Sequence, residues 1–296
     1  ENTVKLSTFQ EADIVIGQAD FVGSEINQNG TAEANTLNRP TDSALADDTL
    51  FIVDNSNNRV LGFNGLPGVN NMTATFVLGQ PDFTSDAEGS DRNGMKRPES
   101  IAIGNGKMAV ADLFNRRVLI YNSVPVDHSA QPDVVVGQVD FTSGSLGCAQ
   151  DEIRGPGDVA ITPEGKLVVL DPSNHRVLIW NSLPTSNGQG ADLVLGQSDF
   201  THCKENDDNQ DGTVDAAPTA RTFDSPRGLW TDGNRLVVMD RSNNRALIWS
   251  SFPTSNFQAA DLVLGQGDFI HNARNDDDQD GSSDSDASGR TLELPQ

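Results

Sequence analysis

Two short stretches of this chain carry oxygen-bearing side chains at the alternating positions that a hard cation needs. They are DDNQDGTVD over 207–215 and DDDQDGSSD over 276–284, and both fit D-x-[DN]-x-D-G-x-x-D. Oxygen ligands two residues apart can wrap one Ca²⁺, and the glycine supplies the sharp turn that folds the later groups back. The first loop would use Asp207, Asn209, Asp211, the Thr213 carbonyl and Asp215. The second would use Asp276, Asp278, Asp280, the Ser282 carbonyl and Asp284. The bidentate Glu that closes an EF-hand loop is missing, since its place falls on Pro218 and Ala287, and no flanking helices are indicated. Another acid or water must complete the shell, which predicts modest affinity. A solvated acidic loop is the bland alternative; two copies with the glycine in the same place favour the cation. The shorter NQNG (27–30) and DRNG (91–94) lack enough carboxylates, and no site is expected there.

Other reactive side chains are few. His202 and His271 each lie two residues after a phenylalanine, Phe200 and Phe269. A transition-metal pair could be built that way, but Cys203 beside His202 becomes Asn272 in the second copy, and common repeat ancestry explains the match as well. Cys148 and Cys203 form no CxxC site; an oxidising compartment would permit one disulfide between them.

With 43 acidic and 20 basic residues the formal charge is −23, which opposes approach to nucleic acid or an anionic membrane. No apolar run is long enough for membrane insertion. The sequence starts at Glu1 with no signal-type apolar core. This fits a mature secreted, extracellular or periplasmic protein whose signal peptide is already removed, or a trimmed chain.

What must position these loops is a repeat. GQxDF occurs five times, in IVIGQADF (14–21), VLGQPDF (77–83), VVGQVDF (135–141), VLGQSDF (194–200) and VLGQGDF (263–269). A second string occurs four times: DNSNNRVLGFN (54–64), DLFNRRVLIYN (112–122), DPSNHRVLIWN (171–181) and DRSNNRALIWS (240–250). A proline precedes each of these, at Pro40, Pro98, Pro156 and Pro226. Three strings in fixed order every sixty residues or so define a repeat architecture.

Each period reads as four short strands: one after the proline, one ending on the Asp, one such as RVLIW and one such as DLVLGQ. Four-residue polar connections such as PSNH suit a hairpin between the second and third strands. A small sheet cannot bury both faces alone, so neighbouring sheets must stack, and radial stacking limits exposed edges. The fold class is therefore all-β, a β-propeller of four-stranded blades, with a single domain over 1–296. Complete blades span about 39–83, 97–141, 155–200 and 225–269, with acidic inserts over 201–224 and 270–293. The repeated pairs Asp54 and Arg59, Asp112 and Arg117, Asp171 and Arg176, and Asp240 and Arg245 lie five residues apart across the hairpin. They are expected to be structural ion pairs rather than anion sites, because every blade has one.

The DxxNxRV element, with one copy reading SNHRVLIW, resembles the NHL repeat, and the VLGQxDF strand is similar to that of secreted bacterial proteins of this type. The two acidic loops resemble the helix-free, thrombospondin-type-3 or EF-like calcium loops of extracellular proteins. The resemblance implies a propeller, usually six-bladed, used mostly as a binding platform. Some relatives are lactonases or amidating lyases with a metal in the central channel. Here Asp42, Glu99 and Asp158 could offer oxygens at the strand starts, but the lyases' channel histidines have no counterpart.

The lone IVIGQADF is expected to be a closing fourth strand against the final blade, in an intact ring of five or six blades. Pro295 follows Phe269 at the spacing by which Pro226 follows Phe200, as though a further blade were starting. The reading is a non-catalytic, calcium-binding structural or interaction module. Its partner would be a protein, a glycan or another copy of itself. The alternatives are a subunit of a self-assembling filament or surface layer, built by strand exchange, and a metal-dependent lactonase- or lyase-like enzyme.

Overall fold

The structure, a computed structural model, describes residues 10–296. Its regular elements are sixteen strands and five single-turn 3₁₀ segments. The strands form four antiparallel meanders, each joined in simple sequence order. The first blade contains β1 (Pro40–Ala46), β2 (Thr49–Asp54), β3 (Arg59–Asn64) and β4 (Phe76–Leu78). The second contains β5 (Pro98–Gly104), β6 (Lys107–Asp112), β7 (Arg117–Tyr121) and β8 (Val134–Val136). The third contains β9 (Asp158–Ile161), β10 (Leu167–Asp171), β11 (Arg176–Trp180) and β12 (Leu193–Leu195). The fourth contains β13 (Gly228–Thr231), β14 (Leu236–Asp240), β15 (Arg245–Trp249) and β16 (Leu262–Leu264). This is the blade architecture of a β-propeller.

The middle strands are runs of Val, Leu and Ile because both their faces are covered. All five residues of β7, β10 and β11 are buried. The core consists of layers between adjacent sheets. Phe51, Phe76, Met108 and Tyr121 pack between the first and second blades. Ile120, Val136, Val169 and Trp180 fill the next layer, and Leu170, Ile179, Leu236 and Trp249 the one after.

Each hairpin between second and third strands turns through a short 3₁₀ segment followed by one left-handed residue. Those residues are Asn58, Arg116, His175 and Asn244, with φ between 51° and 58°. The turn brings the repeated Asp and Arg directly opposite one another, as in the pairing of Asp171 with Arg176.

Neighbouring blades also interlock through the GQ motif. Gly79, Gly137, Gly196 and Gly265 all have positive φ, and each leaves room for an apolar residue three positions before the next proline. Those residues are Met95, Ile153, Phe223 and Leu292. The outer strand is capped as well: the N–H groups of Val77, Val135 and Val194 donate to His128 Nδ1, Asn187 Oδ1 and Asn256 Oδ1 of the following blade.

The N-terminal segment departs from expectation. Residues 14–21 form no strand, since no third strand lies beside them. They nevertheless dock on the first blade as an outer strand would. Val15 N–H donates to Asn70 Oδ1 at 3.0 Å, the Asn71 N–H donates to the Val15 carbonyl, and Gly17 abuts Leu37.

Candidate cation site

The segment that leads into each blade is held by that blade's own Asp–Arg pair. Arg245 Nε donates to Asp240 Oδ2 at 2.8 Å, and its two terminal nitrogens reach the carbonyls of Phe269, Thr219 and Thr222. Arg59, Arg117 and Arg176 make the equivalent Nε bonds to Asp54, Asp112 and Asp171 at 2.7, 2.8 and 3.1 Å. All eight side chains are fully buried. Burial pushes each Asp carboxyl above its ordinary range, and the adjacent guanidinium opposes that shift. An Asn three residues after each Asp supplies a further donor: Asn57, Asn115, Asn174 and Asn243. Every guanidinium nitrogen donates to a carboxylate or carbonyl of the described residues, so these pairs tie connections to hairpins.

The two acidic loops hang from this frame in matching conformations. Asp207 and Asp276 are fully buried. Asp207 accepts the Asp211 and Gly212 N–H groups at 3.1 and 2.9 Å, and Asp276 accepts those of Asp280 and Gly281 at 3.1 and 3.0 Å. Gly212 and Gly281 have φ of +86° and +84°, a backbone that favours glycine. Asp215 Oδ2 accepts the Asp208 N–H at 2.8 Å, and Asp284 Oδ2 that of Asp277 at 3.1 Å, which folds the ninth position back over the first.

In the second loop this folding gathers a group that could hold a metal ion. Asp276, Asp278 and Asp284 place carboxylate oxygens within 4.8 Å of one another. Asp276 is buried and the other two are exposed. The Asp280 N–H pulls the Asp278 pKa down, but the Asp280 carboxylate, desolvation and the carboxylates of Asp284 and Asp276 together outweigh it and leave it raised. In the first loop Asn209 stands where Asp278 does; its Nδ2 donates to Asp215 Oδ1 at 3.4 Å.

The fifth positions lie outside the gathered group. Asp211 Oδ1 accepts from the N–H and hydroxyl of Thr213, and Asp280 Oδ1 from the Ser282 N–H. The hydrogen bonds at Thr213 and Ser282 thus run to the Asp two residues earlier.

Residues not singled out by the motif complete the loops. Gln210 Nε2 donates to the Asp207 carbonyl and its Oε1 accepts the Ser198 N–H; Gln279 does the same for Asp276 and Gly267. Thr219 and Ser288 hydroxyls donate to Asp208 and Asp277 at 2.8 and 2.7 Å. The signal for the glutamines was present in both loops as the shared QDG.

The remaining candidates have local roles. His202 and His271 each pair through Nδ1 with Asp199 or Asp268, at 2.8 and 2.7 Å. Cys148 and Cys203 are disulfide-bonded with Cα atoms 6.4 Å apart, joining the connection after the second blade to the first acidic loop's segment. In DRNG, Asp91 Oδ1 only caps the Asn93 and Gly94 N–H groups.

The strand-start acids stitch blades together. Asp42 Oδ2 accepts the Ile101 N–H at 2.9 Å, and Asp158 Oδ2 the Leu229 N–H at 2.8 Å. Ser100 Oγ lies 2.8 Å from Asp42 and 2.7 Å from Asp158. Burial raises the Asp158 pKa to about 6 against its hydrogen bonds. Glu99 is also raised by burial, with Arg39, Arg227 and Arg97 opposing.

No protein-family model matches the chain, and no curated protein matches it. Solved structures similar to it include U3-55K, at 12% identity and a TM-score of 0.46, covering 79% of this chain and 54% of that one. Another is a candidate 6-phosphogluconolactonase from Bacteroides uniformis, at 13% identity and a TM-score of 0.42, covering 71% of this chain and 50% of that one. The chain thus spans about half the length of either.

Proposed function

We propose that this chain is a non-catalytic, calcium-stabilised propeller module of the NHL-repeat type that works outside the cytosol as a binding platform. The observation that carries the reading is the twin acidic loop. Two connections adopt the same fold around a buried first Asp, and one brings Asp276, Asp278 and Asp284 within 4.8 Å. Three carboxylates in so small a space repel one another, and a divalent cation relieves that repulsion. Carboxylates and a helix-free loop suit a hard, flexible ion such as Ca²⁺ rather than the nitrogen and sulfur ligands that Zn²⁺ prefers. The Cys148–Cys203 disulfide supports an oxidising, extracellular or periplasmic setting.

The experiment is a thermal melt in CaCl₂ and in chelator. A cation that binds only the folded state raises its stability with concentration, so the melting temperature should fall on chelation. An unchanged melting temperature, with Asp276→Ala equally silent, removes the proposal.

A second reading, self-assembly of copies through the last blade, is favoured by one observation. Leu262 and Leu264 of β16 are 54% and 56% exposed, whereas Phe76 and Leu78 of β4 are buried by the next blade. A further blade from another copy would cover them as the second blade covers β4. Light scattering at rising concentration tests this; a strict monomer rejects it.

A further inference from the structure

A cavity of about 570 Å³ lies between the outer strand of the first blade and the connection that follows β7 of the second. That volume falls within the range of small-molecule sites, on the order of 300–1,000 Å³. Its origin is a local break in the repeat. Trp180 and Trp249 fill the equivalent position in the third and fourth blades, and each indole N–H is satisfied by a carbonyl nine residues on, Gln189 or Gln258. The second blade has Tyr121 there. Tyr121 is 3% exposed, lines the cavity, and its hydroxyl has no hydrogen-bond partner among the described residues. Burial pushes its phenol pKa well up, so it remains a donor.

The surrounding groups define a ligand class. His128 Nδ1 accepts the Val77 N–H, which leaves the proton on Nε2. Asp91 Oδ1 accepts the Asn93 and Gly94 N–H groups, and Asp91 and Gln131 both line the cavity. Val77 and Pro132 contribute C–H surface, and Arg92 fixes Pro132 by donating to its carbonyl at 2.8 Å. Among the described residues, no lysine or arginine lines the cavity. An unpaired hydroxyl donor on an otherwise buried tyrosine, a second donor, two acceptors and an apolar wall suit a ring with a C–H face and a rim of hydroxyls. The acids and the absence of cations disfavour phosphorylated or carboxylated ligands.

We propose that this inter-blade cavity binds an uncharged sugar ring, with Tyr121 Oη and His128 Nε2 donating to its hydroxyls. The site is independent of the cation loops, and its failure would leave their assignment untouched.

Saturation-transfer NMR and calorimetry with D-glucose, D-galactose, D-mannose and N-acetylglucosamine test it, with 6-phosphogluconate as the anionic control. At least one neutral sugar should bind saturably in the millimolar range. Tyr121→Phe removes one hydroxyl and should weaken that binding about fivefold, in line with the loss of one hydrogen bond. Tyr121→Trp restores the residue of the third and fourth blades and should abolish it. The proposal is overturned if none of the four sugars binds, if 6-phosphogluconate binds more tightly than all of them, or if Tyr121→Trp binds like the wild type. Should the Trp variant not fold, unchanged affinity in Tyr121→Phe overturns it alone.

Discussion

The N–H of Gly281 donates to Asp276 Oδ2 at 3.0 Å, closing the second acidic loop on a carboxylate that no solvent reaches. The same bond joins Gly212 to Asp207 at 2.9 Å. Loop conformation is thus set by backbone donors, and in the second loop Asp276, Asp278 and Asp284 are left as a group that could hold a metal ion. The two loops differ mainly at Asn209 and Asp278. Asp278→Asn should weaken the second site about tenfold and Asn209→Asp strengthen the first by a similar factor, because affinity follows ligand charge. Calcium titration of the two variants, read by calorimetry, checks both directions.

Arg176→Met should destabilise the fold by about 3–5 kcal/mol, since it strands the buried Asp171 carboxylate and three backbone carbonyls. By contrast, Arg235 pairs with Asp232 at 2.7 Å on the surface, where solvent screens the pair, and Arg235→Met should cost far less than Arg176→Met. Urea denaturation separates the two cases. Equal, small losses would show that the buried pairs carry little of the stability.

The Asp158 carboxyl, raised by burial to about 6, gives a pH dependence of definite sign. The folded state holds this proton more tightly than the unfolded chain, whose Asp titrates near 4. The stabilisation is therefore complete below about pH 4 and is lost as pH rises through about 6. Asp158→Asn keeps one side-chain oxygen as an acceptor and removes the titrating proton, and it should lose that part of the slope. Subtracting the two pH–stability curves isolates the effect; curves parallel from pH 4 to 7 would contradict it.

Gly196 has φ of +89°, and a Cβ there would collide with Phe223 and the His175 carbonyl. Gly196→Ala should cost at least about 1 kcal/mol through strain and displacement of Phe223. Gly212 has a similar φ but open space around it, so Gly212→Ala reports backbone strain alone. The difference between the two losses, measured by thermal unfolding, gives the packing contribution.

Reducing Cys148–Cys203, which closes a separation of 55 residues, should lower stability by about 2–4 kcal/mol. Melts with and without reductant, with Cys148→Ala/Cys203→Ala as control, measure it. Loss in the wild type with none in the control confirms the cause.

The blades were legible because short apolar strands, Asn-bearing turns and prolines recur in one order, and each cue agrees with the others. The two DG loops were legible for the same reason. Residues whose partners lie far along the chain could not be read this way. Ser100 joins Asp42 and Asp158 across two blade boundaries, and nothing in its local sequence marks it. Asn70 resembles any loop asparagine until Val15 is placed beside it. Residues 14–21 carry the strand motif but form no strand, because β pairing needs a neighbour and the motif alone supplies none. Asp211 and Asp280 fit the ligand pattern yet bond within their own turns.

The account rests on the acidic loops, and calorimetric titration of chelator-treated protein with CaCl₂ tests them most directly. It should give two bound ions per chain, falling to one in Asp276→Ala and to none when Asp207→Ala is added. No heat in the wild type, or the same two ions in the double variant, would contradict it.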